Sequence, residues 1–188
     1  MRGEFCLSKL RLIPKVNIVN LITTADLKQF VDLEKLRRVR GFVYNTAVYH
    51  CAYLKDDKTQ SKVSIFSSGK MISVGSKSLR AAERDLNYAA GRLAELGLIT
   101  PTRITVRLQN IVATGELGHS IDVESLATRL PNVIYEPEQF PGAIYYAAEL
   151  EGASVLVFAN GKLVFAGLKR EELLRVAEKV ATDLGKMV

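Results

Sequence analysis

Phe66-Ser67-Ser68-Gly69-Lys70 and Phe158-Ala159-Asn160-Gly161-Lys162 are one motif occurring twice, 92 residues apart. Working outward from the pair, Tyr44 matches Tyr135 at an offset of 91, and Asp32-Leu33-Glu34 matches Asp122-Val123-Glu124 at 90. Asn20-Leu21-Ile22-Thr23-Thr24 matches Asn110-Ile111-Val112-Ala113-Thr114, again at 90. Four matches in one order, with a drift of two residues, are what a duplicated unit with small loop changes leaves behind. The chain of 188 residues therefore reads as two copies, 1–97 and 98–188.

Both copies carry the same pattern. An alternating strand opens each, over 15–23 and 103–113, followed by a helical stretch with Leu33 and Leu36, or Val123 and Leu126, at helical spacing. Strands rich in Val, Ile, Tyr and Phe come next, with Ser68-Gly69 and Asn160-Gly161 between apolar runs. These pairs predict two-residue hairpin turns of positive φ. A long amphipathic helix closes each copy. Its apolar stripe is Leu79, Ala82, Leu86, Ala89, Ala90 and Leu93 in the first, and Leu173, Leu174, Ala177, Val180, Ala181 and Leu184 in the second. Gly97 fits the position just past a helix end, and 98–102 reads as a short linker. Strands backed by one-sided helices imply an α+β fold, an antiparallel sheet with helices on one face.

Composition sets the outer limits. Hydrophobic residues make up 48% and charged residues 24%, close to the globular average, which excludes wholesale disorder. No apolar run reaches the roughly 18 residues of a membrane span. The first 17 residues have scattered charges and no apolar block before a cleavage site, so no secretory signal is expected. Cys6 and Cys51 are too few for a disulfide framework and read as free thiols of an intracellular protein. The net charge is +6, unevenly spread. Residues 1–97 hold 17 Lys and Arg against 9 Asp and Glu, whereas 98–188 hold 9 against 11. A basic half suits a polyanion and a mildly acidic half suits a different partner.

Alternation says which residues share a strand face. Asn20 and Ile22 share one, as do Ser64 with Phe66 and Ile72 with Val74. In the second copy these become Asn110 with Val112, Leu156 with Phe158, and Val164 with Ala166. If this face is free of helices, it is an apolar strip bearing two symmetry-related asparagines. Its chemistry suits a minor groove, whose floor is flat and offers mainly acceptors at A·T pairs. A second core or a dimer interface would use the same pattern.

Tyr135-Glu136-Pro137-Glu138-Gln139-Phe140-Pro141-Gly142, with Leu108 to Ala113 before it and Phe158-x-x-Gly161-Lys162 after it, resembles the second repeat of the TATA-box-binding protein family. Asp32-Leu33-Glu34-Lys35 and Ile65 to Lys70 resemble the first repeat. The resemblance runs from about Lys15 to Met187. It implies a saddle, a curved sheet of ten antiparallel strands with four helices on its convex side. It further implies wedging rings, Tyr49 with Phe66 and Phe140 with Phe158, that enter base steps at the ends of the site. Asn20, Ile22, Ile72, Val74, Asn110, Val112, Val164 and Ala166 fall on its minor-groove positions. Lys55, Lys70 and Lys162 fall on its phosphate contacts. Glu136 and Glu138, in the loop called the second stirrup, match positions that contact transcription factor B-type initiation factors.

The function so implied is a general initiation factor that binds and bends TATA-like double-stranded promoter DNA and works with transcription factor B and the RNA polymerase machinery. Weak self-association through the concave face accompanies that expectation, in a nucleoid if the source is archaeal and a nucleus if it is eukaryotic. A short chain without an N-terminal extension fits the archaeal case. The chain departs from the family in four places. Val74 and Ala166 stand where Thr or Ser is usual, and Tyr146 replaces an arginine whose first-repeat counterpart, Lys55, stays cationic. The first stirrup, 44–51, lacks the Pro and Gly of the second. These departures motivate an alternative, a diverged protein-interaction module with weak or non-specific DNA binding.

Other constellations carry little. His50 and His119 lack companions at ligand spacing, so no metal is expected. Ser68-Gly69-Lys70 lacks the upstream glycine of a phosphate loop and precedes a strand. Glu136 and Glu138 have no acid–base partner, so neither enzymatic chemistry nor a cofactor is expected. Arg80, Arg84 and Arg92 lie on the long helix of the basic half.

Overall fold

The computed structural model describes residues 14–187, so the N-terminal stretch with Cys6 lies outside the described residues. Among the described residues ten strands form one antiparallel sheet. In the first half these are β1 (Asn17–Asp26), β2 (Phe42–Val43), β3 (Cys51–Leu54), β4 (Lys62–Phe66) and β5 (Lys70–Ser76). The second half repeats them as β6 (Arg107–Glu116), β7 (Val133–Ile134), β8 (Gly142–Tyr145), β9 (Ser154–Phe158) and β10 (Lys162–Leu168). Their order across the sheet is β2-β3-β4-β5-β1-β6-β10-β9-β8-β7. The order mirrors itself about the β1–β6 pair, so the duplicated sequence yields a pseudo-two-fold axis at the middle of the sheet.

One face of that sheet is packed and the other is not. Leu21, Thr23 and Ala25 of β1 are buried while Asn20, Ile22 and Thr24 between them are half-exposed, and β6 repeats the pattern with Ile111, Ala113 and Gly115 against Asn110, Val112 and Thr114. The packed face is covered by α1 (Leu79–Glu95) in the first half and by α2 (Val123–Arg129) and α3 (Leu173–Met187) in the second. Ser78 caps α1 by accepting from Ala81 N–H at 3.3 Å. At its far end Gly97, at φ +68°, lets Leu98 N–H reach back to Leu93 C=O at 3.0 Å. No helix among the described residues is long and apolar enough to cross a membrane.

Three expectations need correction. Among the described residues there are three α-helices, not four: Leu33–Leu36 forms one 3-10 turn. A spacing of three suits a 3-10 turn as well as an α-helix, and the chain then meets Arg37, Arg38 and Arg40 before turning at Gly41, φ +91°. The opening strands also sit further along the chain, because Thr24, Ala25 and Asp26 pair with Ile72, Met71 and Lys70 of β5. The hairpins are three-residue loops rather than two-residue primed turns. Gly69 N–H closes onto Phe66 C=O and Gly161 N–H onto Phe158 C=O, both at 2.9 Å, and within each loop only the glycine has positive φ. The glycines are also steric requirements. A Cβ at Gly69 would stand 2.2 Å from Gln29 O, and one at Gly161 would stand 2.0 Å from His119 O.

Candidate nucleic-acid interface

The open face is built at the sheet centre. Ile22 stands beside Asn110 of β6 on one side and Val74 of β5 on the other; Val112 stands beside Asn20 and Ala166. Ile72 and Val164 lie one pair further out, opposite Ser64 and Leu156. All eight residues assigned to the minor-groove floor therefore form one contiguous patch. It is apolar except for two side-chain amides near the pseudo-two-fold axis.

The two amides are held differently. Asn20 Oδ1 accepts from Gly75 N–H at 2.8 Å, where β5 bulges against β1 and Gly75 takes φ +105°. The bond fixes the side chain and leaves its NH2 as the free donor. Asn110 Oδ1 is enclosed without a hydrogen-bond partner. Val74 is 37% exposed at the centre of the patch, so the position that lacks a hydroxyl faces outward.

At the second-half end, Phe140 and Phe158 pack edge to face with ring centroids 5.7 Å apart. Gly142 makes room for them, since it is the cross-strand partner of Phe158 and carries no side chain. At the first-half end Cys51, a free thiol, pairs with Phe66 instead. Tyr49 packs instead against Tyr53, with ring centroids 4.9 Å apart. No ring pair joins Tyr49 to Phe66 among the described residues. The Cys51 side chain raises the Tyr53 phenol above its ordinary value, and burial adds to this.

The stirrups share a backbone despite unlike sequences. Val48 and Tyr49 N–H both donate to Asn45 O (3.1 and 2.9 Å), as Gln139 and Phe140 N–H donate to Glu136 O (both 2.9 Å). Glu136 and Glu138 are exposed on the second stirrup. Neither forms an ion pair among the described residues.

Cations rim the face. Lys70 and Lys162 follow the hairpin loops and are exposed. Lys55 borders a shallow groove with Tyr49, Tyr53 and Lys62. Lys62 was not among the residues singled out from the sequence. It lies on the open face, its ammonium 3.8 Å from the centroid of the Tyr53 ring, and its alternation with Ser64 and Phe66 was the available signal. A second groove, of about 820 Å³, is bordered by Phe66, Ile72, Lys28, Lys70, Arg103 and Arg107. Arg103 comes from the segment joining the halves, and Arg107 opens β6. An apolar floor with side-chain amides, rings at the ends and cations around the rim complements a polyanion whose groove floor is lined with acceptors. Among the described residues no cluster of His, Cys, Asp and Glu could hold a metal ion.

Comparison with known proteins agrees with this geometry. The family model described as transcription factor TFIID, or TATA-binding protein, matches residues 15–96 and 105–187. A TATA-box-binding protein of Cenarchaeum symbiosum is 39% identical over 160 residues, 84% of this chain and 87% of that protein. One of Pyrococcus horikoshii is 34% identical over 174 residues, 88% and 91% of the two chains. The solved structure of the Methanococcus jannaschii TBP superposes with a TM-score of 0.81 at 30% identity, covering 93% of this chain and all of that one.

Proposed function

Since the chain belongs to the TATA-binding protein family, we propose that it is a general initiation factor that seats its open sheet face in the minor groove of A·T-rich promoter DNA. The two repeats, 1–97 and 98–188, each grip one half of the site. The carrying observation is the continuous apolar patch around Ile22 and Val112, with Asn20 and Asn110 at its centre. Asn20, whose oxygen is engaged by Gly75, presents its NH2 toward acceptors such as adenine N3 and thymine O2.

Bending is the costly step. Unstacking takes a few kcal/mol per wedged step, and smooth deformation of the duplex adds about 1–6 kcal/mol. Apolar burial on the groove floor and counterion release at Lys55, Lys62, Lys70, Lys162, Arg103 and Arg107 offset it. Glu136 and Glu138, exposed on the second stirrup, then offer a transcription factor B-type partner an acidic surface. The relatives named above are archaeal, which favours the nucleoid as the place of action.

Gel-shift competition between a TATA duplex and its scrambled sequence tests the proposal. Preference for TATA is expected, and equal binding would favour the second reading, a saddle kept for protein contacts. The apolar outward-facing Val74 supports that reading. Val74→Thr with Ala166→Thr is expected to raise the TATA preference by supplying hydroxyls to base edges. Phe158→Ala should abolish most bending, read by energy transfer between end labels, while sparing salt-dependent affinity. Replacing Glu136 and Glu138 by Arg should block the ternary complex and leave DNA binding equal or tighter.

A further inference from the structure

The two ends of the open face are not equivalent wedges, and the difference traces to one pair of matched positions. At Gly142 a side chain would crowd both rings: a Cβ would lie 3.0 Å from Phe140 Cε1 and 3.1 Å from Phe158 Cε1. The matched residue of the first half is Cys51, which has a Cβ and a sulfur and is only 8% exposed. Its cross-strand partner is Phe66, as Phe158 is the partner of Gly142. A ring placed on Tyr49 as Phe140 is placed would run into this side chain. Tyr49 instead packs on Tyr53 and remains 41% exposed. Tyr53 itself occupies the position of Ile144 in the second half, so the first half supplies a ring for Tyr49 to rest on.

We propose that Cys51 is a positioning residue that disables the first-half ring pair, so that this protein kinks DNA mainly at the end held by Phe140 and Phe158. The inference rests on the DNA-binding function proposed above. A paired wedge presents two rings to one base step, whereas Phe66 alone presents one. Unstacking a step is the costly part of binding, and the cost differs between steps, being least at flexible pyrimidine–purine steps. The second-half end therefore selects the most easily unstacked step of the site, and the first-half end tolerates stiffer ones. A nearly symmetric saddle thereby gains a preferred direction on an asymmetric A·T tract.

The test uses the full chain and a palindromic TATA duplex with 2-aminopurine at both outer base steps, so that the total signal counts unstacked steps whichever way the protein sits. At saturating protein, Cys51→Gly should raise the fluorescence gain up to about twofold over the parent as the second step opens. Gly142→Cys should bring it toward that of unkinked DNA. Cys51→Ala removes the sulfur and keeps the Cβ, and its signal should fall between those of the parent and Cys51→Gly. A Cys51→Gly signal equal to the parent's overturns the inference while leaving the function intact. Loss of TATA preference in the parent itself overturns the function and the inference with it. A DNA-free readout stands beside these: ring-to-ring NOEs between Tyr49 and Tyr53 should give way to NOEs between Tyr49 and Phe66 in Cys51→Gly. Unchanged Tyr49–Tyr53 NOEs in that variant would show that Cys51 does not set the ring's position.

Discussion

The two halves share a backbone plan and differ in what fills it. In the first half the cross-strand pair beneath the sheet is Thr23 with Ser73; in the second it is Ala113 with Phe165. One step along, Ser76 lies opposite Leu21 where Leu168 lies opposite Ile111. Ser61 is matched by Ala153. The helix position that holds Asp85 in α1 is held by Val176 in α3. Asp85 is fully buried, and its Oδ2 accepts from Gln60 N–H (3.0 Å), Ser61 N–H (2.8 Å) and Ser61 O–H (2.7 Å). Ser73 O–H donates in turn to Ser61 Oγ at 2.7 Å. Asp85 Oδ1, Thr23 Oγ1 and Ser76 Oγ have no hydrogen-bond partner. The lesson is that the architecture depends on strand alternation and clamped hairpins, while the filling can be a polar chain or a phenyl ring. The two fillings should differ in what their loss costs.

The largest effect is expected in the second half. Phe165→Ala empties a fully buried site and should lower stability by about 3–5 kcal/mol in urea unfolding. Asp85→Ala should cost roughly 2–4 kcal/mol, since two backbone N–H groups and a hydroxyl are left without their acceptor. A loss of less than 1 kcal/mol there would mean that the polar chain contributes little to the first half.

How much of this was legible in the sequence follows from the same residues. The repeat, the long helices and the open face were readable because each rests on periodicity sustained over many positions. The polar chain was not, because Thr23, Ser73, Ser61 and Asp85 are scattered in sequence and meet only once strand register is fixed. Tyr49 was assignable to a wedge by matching it to Phe140, but its direction depends on the volume at Cys51, a residue whose partner lies on another strand. Leu33 and Leu36 gave a spacing shared by two kinds of helix. Lys62 was within reach of simple alternation.

Asp56 carries the pH dependence of the comparison. The Tyr88 hydroxyl at 2.7 Å is the main influence holding its carboxyl below the ordinary range, followed by Lys58 N–H at 3.1 Å, with burial opposing them. Its second-half counterpart is Ala147. A carboxyl depressed in the folded state stabilises above its unfolded value, near 3.9, and that contribution fades as pH falls through the folded value. Asp56→Asn should therefore reduce the drop in urea midpoint between about pH 5 and pH 2. An unchanged acid limb would place the sensitivity elsewhere. The smallest effect belongs to Thr23→Ala, which exchanges a hydroxyl without a partner for the residue the second half already uses. Stability should stay within about 1 kcal/mol of the parent or rise slightly. A larger loss would show that the hydroxyl is hydrogen-bonded after all.

Val16 and Leu21 of the opening segment are packed with the residues of the second half, whereas Ala25 further along β1 belongs with those of the first. Ile99 and Ile104 of the connecting segment pack into the first half, although they follow its last helix. Each interior is thus closed partly by chain that lies outside its own run of strands. The folding unit is then the whole chain and not the repeat: an opening that begins at Asp85 draws β1 away from the apolar interior built on Phe165. Unfolding should be a single cooperative event, and a gene that arose by doubling encodes a molecule that no longer divides where it was joined.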